Sequence, residues 1–143
     1  MNDKKNLKKI LMIEDEPAFL HMMKKRLEYE GYEVVAAENG LEGLSTARSE
    51  NPDLIILDIM LPGMDGHKVC RMIKSDNNLR NIPVAMLTSR DLEEDAETAK
   101  RCGANAFIIK TTRTEIVIDI IKKLLDQNVC ESKNILKKTH KTE

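Results

Sequence analysis

Apolar and polar residues are distributed along this chain in alternating blocks. Four compact apolar runs stand out, Lys9–Ile13, Leu54–Leu57, 83–87 and Ala106–Ile109, with a less apolar one at Glu33–Ala37. The four lack the in-out alternation of a half-exposed strand. Uninterrupted runs of this length predict strands buried on both faces, the mark of a parallel sheet between helices. The stretches between them carry helical spacing. Pro17 sits where a first helical turn tolerates proline, Ala18, Leu20, Met23 and Leu27 follow in register, and Gly31 is a natural stop. Asn39-Gly40 turns into a second helix bearing Leu41, Leu44 and Ala47, which Asn51-Pro52 ends. Val69, Met72 and Ile73 mark a third, after a loop dense in turn residues from Leu61 to Gly66. The acidic stretch from Asp91 to Glu97 suits the start of a fourth, closed by Gly103, and a fifth runs from about Thr112 to Gln127. The predicted fold is α/β: a (βα)5 doubly wound parallel sheet with strand order 2-1-3-4-5.

Length and composition narrow the picture without naming a chemistry. The chain has 143 residues, room for one domain able to bury a core without metals or disulfides. We read 1–6 as a lead, 7–127 as the domain and 128–143 as a polar tail or linker remnant. A net charge of -1 gives no reason to expect nucleic-acid binding, so functional charge must be local. Cys70, Cys102 and Cys130 are widely spaced and form no CxxC pair, which disfavours a disulfide framework or structural zinc. With no apolar leader and no membrane-length window, a cytoplasmic location is expected.

The strand ends carry the chemistry. Glu14-Asp15 follows the first run, Asp58 the third, Thr88-Ser89 the fourth and Lys110 the fifth. Ligands of open α/β sheets gather outside the carboxyl ends of the strands, so acids, a hydroxyl and a lysine would converge there. Each has an ordinary explanation alone: an acidic pair caps a helix, an aspartate turns a chain, a lysine is solvated. Together they make a phosphoryl-transfer set. A carboxylate attacking a phosphoryl group needs a cation to shield it, and Mg2+ takes hard oxygen ligands. A lysine and a hydroxyl stabilise charge spread over the equatorial oxygens.

These segments resemble the receiver domain of the two-component response-regulator family, over about Leu7 to Asp126. The acidic pair stands in Ile13-Glu14-Asp15-Glu16-Pro17, and the phosphoacceptor segment is matched by Leu57-Asp58 and the run onward to Asp65-Gly66. Thr88-Ser89 matches the hydroxyl position, and Gly103 through Phe107 to Lys110 matches the stretch with the switch aromatic and the lysine. The resemblance implies a flavodoxin-like receiver fold and a phosphoacceptor switch with no activity on a separate substrate. Asp58 would accept a phosphoryl group from a histidine kinase or histidine phosphotransfer protein. Asp15 and Asp58 would ligate Mg2+ with Glu14 and the Met60 carbonyl. Thr88 and Phe107 would respond, shifting the surface of the fourth helix, fifth strand and fifth helix toward a partner, a second copy or an output domain.

The chain departs from the family pattern at three places. Thr111 follows Lys110 where a cis proline is usual; a non-proline cis bond costs about 2.5–4 kcal/mol, so a trans bond is expected and the aim of Lys110 is open. Glu14 replaces the commoner aspartate, a longer arm. Met60 and Arg90 lie two residues beyond the phosphoacceptor and the hydroxyl, and an apolar Met60 predicts slow self-dephosphorylation. In the last helix the apolar residues cover more than one face, which fits either a broad core face or a seam; Ile118 and Leu125, seven apart, are read as a partner or dimer seam. The rival reading keeps the fold and drops the chemistry, leaving a phosphorylation-independent interaction module. A metal-dependent phosphatase or nuclease is disfavoured because Met60 stands where such enzymes place a second acid.

Overall fold

The computed structural model describes residues 7–126. The lead 1–6, the tail 128–143, Gln127 and Cys130 lie outside the described residues. Five strands, β1 (Lys9–Ile13), β2 (Glu33–Ala37), β3 (Leu54–Leu57), β4 (Val84–Thr88) and β5 (Ala106–Ile109), alternate with five helices. These are α1 (Pro17–Tyr29), α2 (Gly40–Glu50), α3 (Gly66–Ser75), α4 (Glu93–Arg101) and α5 (Thr114–Asp126). All strand pairs are parallel and the sheet order is β2-β1-β3-β4-β5, as the pattern predicts.

Both sheet faces are covered, which is why the strands read as unbroken apolar runs. Leu11, Ile13, Ile55, Leu57, Met86 and Phe107 pack against α2, α3 and α4 through Leu44, Ala47, Val69, Cys70, Ile73 and Ala99. Ile10, Met12, Ile56, Leu87 and Ile108 pack on the other face against Met23 and Leu27 of α1 and five residues of α5. Those five include Ile118 and Leu125, only 4% and 7% exposed. The predicted seam is therefore wrong: both residues lie in the core beside Val117, Ile121 and Leu124. The sheet and α1 together cover a wide arc of α5, and burying each such side chain contributes about 1.5–3 kcal/mol. Leu41 and Met72, expected inside, are instead exposed at 68% and 39%.

Helix boundaries follow local chemistry. Pro17 opens α1, and the side chains of Asn39 and Asp65 cap α2 and α3 by accepting from the N–H groups of Glu42 (2.9 Å) and Lys68 (3.1 Å). β4 begins one residue later than its apolar run and ends on Thr88. α5 begins at Thr114 because the Thr112 N–H closes a turn onto the Ile109 carbonyl at 2.9 Å.

Candidate functional site

The parallel register aligns the strand ends. Ile13 pairs with Leu57, Leu57 with Met86, and Thr88 with Ile109, so Glu14, Asp58 and Lys110 each stand one residue past an aligned position. Backbone bonds extend the ladder through these three residues: Glu14 N–H to the Ala37 carbonyl (2.9 Å), Asp58 N–H to Ile13 (3.1 Å) and Lys110 N–H to Thr88 (2.7 Å). The functional side chains thus grow from backbone that is still fixed by the sheet.

Glu14 and Asp58 are buried, at 2% and 5% exposure, and Asp15 is exposed. One carboxylate oxygen from each of the three lies within 4.8 Å of the other two. Lys110 answers this charge. Its Nζ lies 3.2 Å from Asp58 Oδ2, 3.0 Å from Glu14 Oε1 and 3.5 Å from Glu16 Oε1, and stands 4.4 Å over the Phe19 ring. No peptide bond among the described residues is cis, so the Lys110–Thr111 bond is trans as expected, and the lysine still reaches both acids. The turn closed by Thr112 and the bond to Thr88 hold its backbone in place of the missing proline.

Burial, then the Asp58 charge, push the Glu14 carboxyl up to about 7, while Lys110 pulls it back. Burial works to lower the Lys110 ammonium, but the Glu14 and Asp58 carboxylates outweigh it and hold its pKa above the ordinary value. The cluster is short of positive charge. Three hard carboxylate donors held within 4.8 Å of one another suit a divalent cation such as Mg2+.

The remaining predicted residues frame this cluster. Thr88 is fully buried, and its Oγ1 accepts from the Arg90 N–H at 3.3 Å. Phe107, on the strand beside it, is 2% exposed and packs inside. Met60 is half exposed, and its N–H donates to Asp58 Oδ1 at 3.2 Å. The β3–α3 loop then folds back so tightly that the Gly66 N–H donates to the Ile59 carbonyl at 2.7 Å. The sequence pattern does not single out Glu16 or Phe19, and it groups Asp95 with the other acids at the start of the fourth helix. Adjacency to the acidic pair was the available signal for the first two. Asp95 had none, because its partners come from α3 and the β4–α4 loop.

A sheet with this strand order and this strand-end cluster defines a class, and the relatives agree. The family model for the response regulator receiver domain matches residues 10–122, and the chain belongs to that family. It is 34% identical over 117 residues to protein PilH of Pseudomonas aeruginosa, covering 82% of this chain and 97% of PilH. It is 36% identical over 118 residues to the polar-differentiation response regulator DivK of Brucella anthropi, covering 82% of this chain and 96% of DivK. The signal receiver domain of a signal transduction histidine kinase from Syntrophus aciditrophicus superimposes with a TM-score of 0.80 at 35% identity, covering 87% of this chain and 94% of that one. The protein is thus a receiver domain of two-component signalling. Among the described residues no helix is long and apolar enough to cross a membrane.

Proposed function

We propose that this chain is a phosphorylation-dependent signalling switch in which Asp58 accepts a phosphoryl group from a phosphohistidine on a histidine kinase or phosphotransfer protein. The observation that carries this reading is the Lys110 ammonium, 10% exposed, lying against Asp58 and Glu14 from a third strand end. An Asp58 carboxylate oxygen forms the new O–P bond while the P–N bond breaks, its electron pair staying on the leaving imidazole. Glu14, Asp15, Asp58 and the Met60 carbonyl would hold Mg2+, which supplies charge neutralisation between carboxylate and phosphoryl when bound. Lys110 offsets charge on the transferring group, and the Thr88 hydroxyl donates to one of its oxygens. The signal then passes through Thr88 and Phe107 to the α4–β5–α5 surface. Residues 7–127 are taken as the switch domain, acting in the cytoplasm on a protein partner.

The rival reading, a phosphorylation-independent interaction module, drew its support from Thr111 and Glu14. The reach of Lys110 to 3.2 Å from Asp58 counts against it. Incubating the purified chain with acetyl phosphate and Mg2+ should add one hydroxylamine-sensitive phosphoryl group, and Asp58→Asn should abolish it. Undiminished labelling of that variant, or an unlabelled parent chain, would refute the assignment. The label on the parent chain is expected to decay slowly, because the apolar Met60 side chain cannot orient an attacking water. Met60→Asn should shorten its lifetime, which a decay course after donor removal will measure.

A further inference from the structure

A second polar cluster begins two residues past Thr88, and phosphoryl transfer to Asp58 does not call on it. Asp95 sits in the first turn of α4, yet it is only 5% exposed, unlike an ordinary helix-start acid. Arg90 forks onto it, Nε to Oδ2 at 2.8 Å and the second guanidinium nitrogen to Oδ1 at 3.0 Å. His67 of α3 meets Oδ1 through Nε2 at 3.2 Å, and its buried Nδ1 has no hydrogen-bond partner. The same Arg90 gives its backbone N–H to the Thr88 hydroxyl. One residue therefore ties the hydroxyl that would sense a phosphoryl group to the start of α4.

We propose that Asp95 is a positioning residue of the switch: its carboxylate, seated by His67, fixes the Arg90 guanidinium so that movement of the Thr88 hydroxyl reaches the first turn of α4. This rests on the reading of Asp58 as phosphoacceptor. The physical basis is rigidity. A bidentate arginine–carboxylate pair fixes both distance and orientation, whereas a single lysine contact fixes only distance. The Arg90 pairing, working against burial and aided by His67, holds the Asp95 carboxyl below the usual carboxylate range, so the clamp stays charged at neutral pH. If Thr88 is drawn toward Asp58, the Arg90 amide follows it or loses it. While that bond holds, the backbone shift carries the guanidinium with it and pulls on Asp95. Phe107 is already packed inside at 2% exposure, so this network offers α4 a connection that does not depend on the ring.

The test compares amide hydrogen exchange of residues 93–97 with and without acetyl phosphate and Mg2+, in the whole chain and in Asp95→Asn. Arg90→Gln, altered at the exposed end of the pair, is the second variant in case burial makes Asp95→Asn fold poorly. In the parent chain, loading should raise exchange in this turn by about fivefold, as expected when a local tether is released. In both variants Asp58 should still be labelled, exchange should be fast in both states, and the loaded-to-unloaded ratio should fall to near one. A purely structural Asp95 would speed both states alike and preserve the ratio; that result overturns the proposal. Loading that leaves exchange in this turn of the labelled parent chain unchanged also overturns it. An unlabelled parent chain would instead remove the phosphoacceptor reading itself, and this inference with it.

Discussion

Lys110→Met is expected to destabilise the fold by about 3–5 kcal/mol at pH 8, and by clearly less at pH 6. The substitution keeps the side-chain volume and removes the one cation that, among the described residues, pairs with Glu14 and Asp58 in a largely buried cluster. Its pH dependence follows from Glu14. That carboxyl is raised from 4.5 to about 7, so between those values the folded chain holds a proton that the unfolded chain has released. Stability contributed by Glu14 therefore falls as pH rises through that window. Without Lys110 the carboxyl rises further and the fall continues above pH 7. At pH 6 the proton already occupies Glu14 in both chains, so the ion pair lost inside the cluster is mainly the one with Asp58. Thermal unfolding at the two pH values, with and without Mg2+, reads this directly. The variant should melt roughly 10 °C or more below the parent at pH 8. It should also gain more from Mg2+ than the parent does, because the metal would replace the missing charge. Equal deficits at both pH values would mean that Lys110 acts through packing alone. Its rate of acetyl phosphate labelling should fall by about 100-fold, the usual cost of removing one preorganised charge-stabilising donor.

Gly66→Ala is the second large effect expected. A methyl group there would lie 2.1 Å from the Asp58 carbonyl oxygen, 2.6 Å from Ile59 Cα and 2.9 Å from the Asp58 carbonyl carbon. All three are backbone atoms held by the sheet and by the 2.7 Å bond from Gly66 to Ile59, so no side chain can swing aside. The loop must open. Overpacking of this kind costs about 1–3 kcal/mol and occasionally more, and rigid backbone neighbours put this site at the upper end. The displacement falls on the residue that would take the phosphoryl group, so labelling should drop along with the melting temperature. Gly63→Ala makes a useful contrast. Its positive φ of 84° strains an alanine, but nothing stands within 4 Å of the added carbon, so stability should fall with Asp58 left in place. Denaturant unfolding paired with a labelling assay on both variants distinguishes a shifted Asp58 from general destabilisation.

Much of this is legible in the chain because a parallel sheet turns sequence order into spatial order. An apolar run buried on both faces needs no long-range information to be recognised as a strand. The residue that ends each run then falls at the same sheet edge, which is how Glu14, Asp58, Thr88 and Lys110 can be grouped from their positions in the sequence. Capping is equally local: Asn39 and Asp65 bond to N–H groups three residues on. Ile118 and Leu125 mislead because helical spacing shows which residues share a face, and it does not show how much of the helix the neighbours cover.

The sequence by itself determined the element order, the strand positions to within a residue and the identity of the strand-end set, since each depends on near neighbours and on the period of two or 3.6. Only the tertiary structure decided how these residues meet. It brought Phe19 and Glu16 beside the lysine, supported the turn after Lys110 without proline, and sank α5 deep enough to bury a supposed seam. It also joined Arg90, Asp95 and His67, from the β4–α4 loop, α4 and α3. His67 reaches Asp95, and Glu16 and Phe19 reach Lys110, by packing between distant segments, and no local pattern of hydrophobicity or propensity records such contacts.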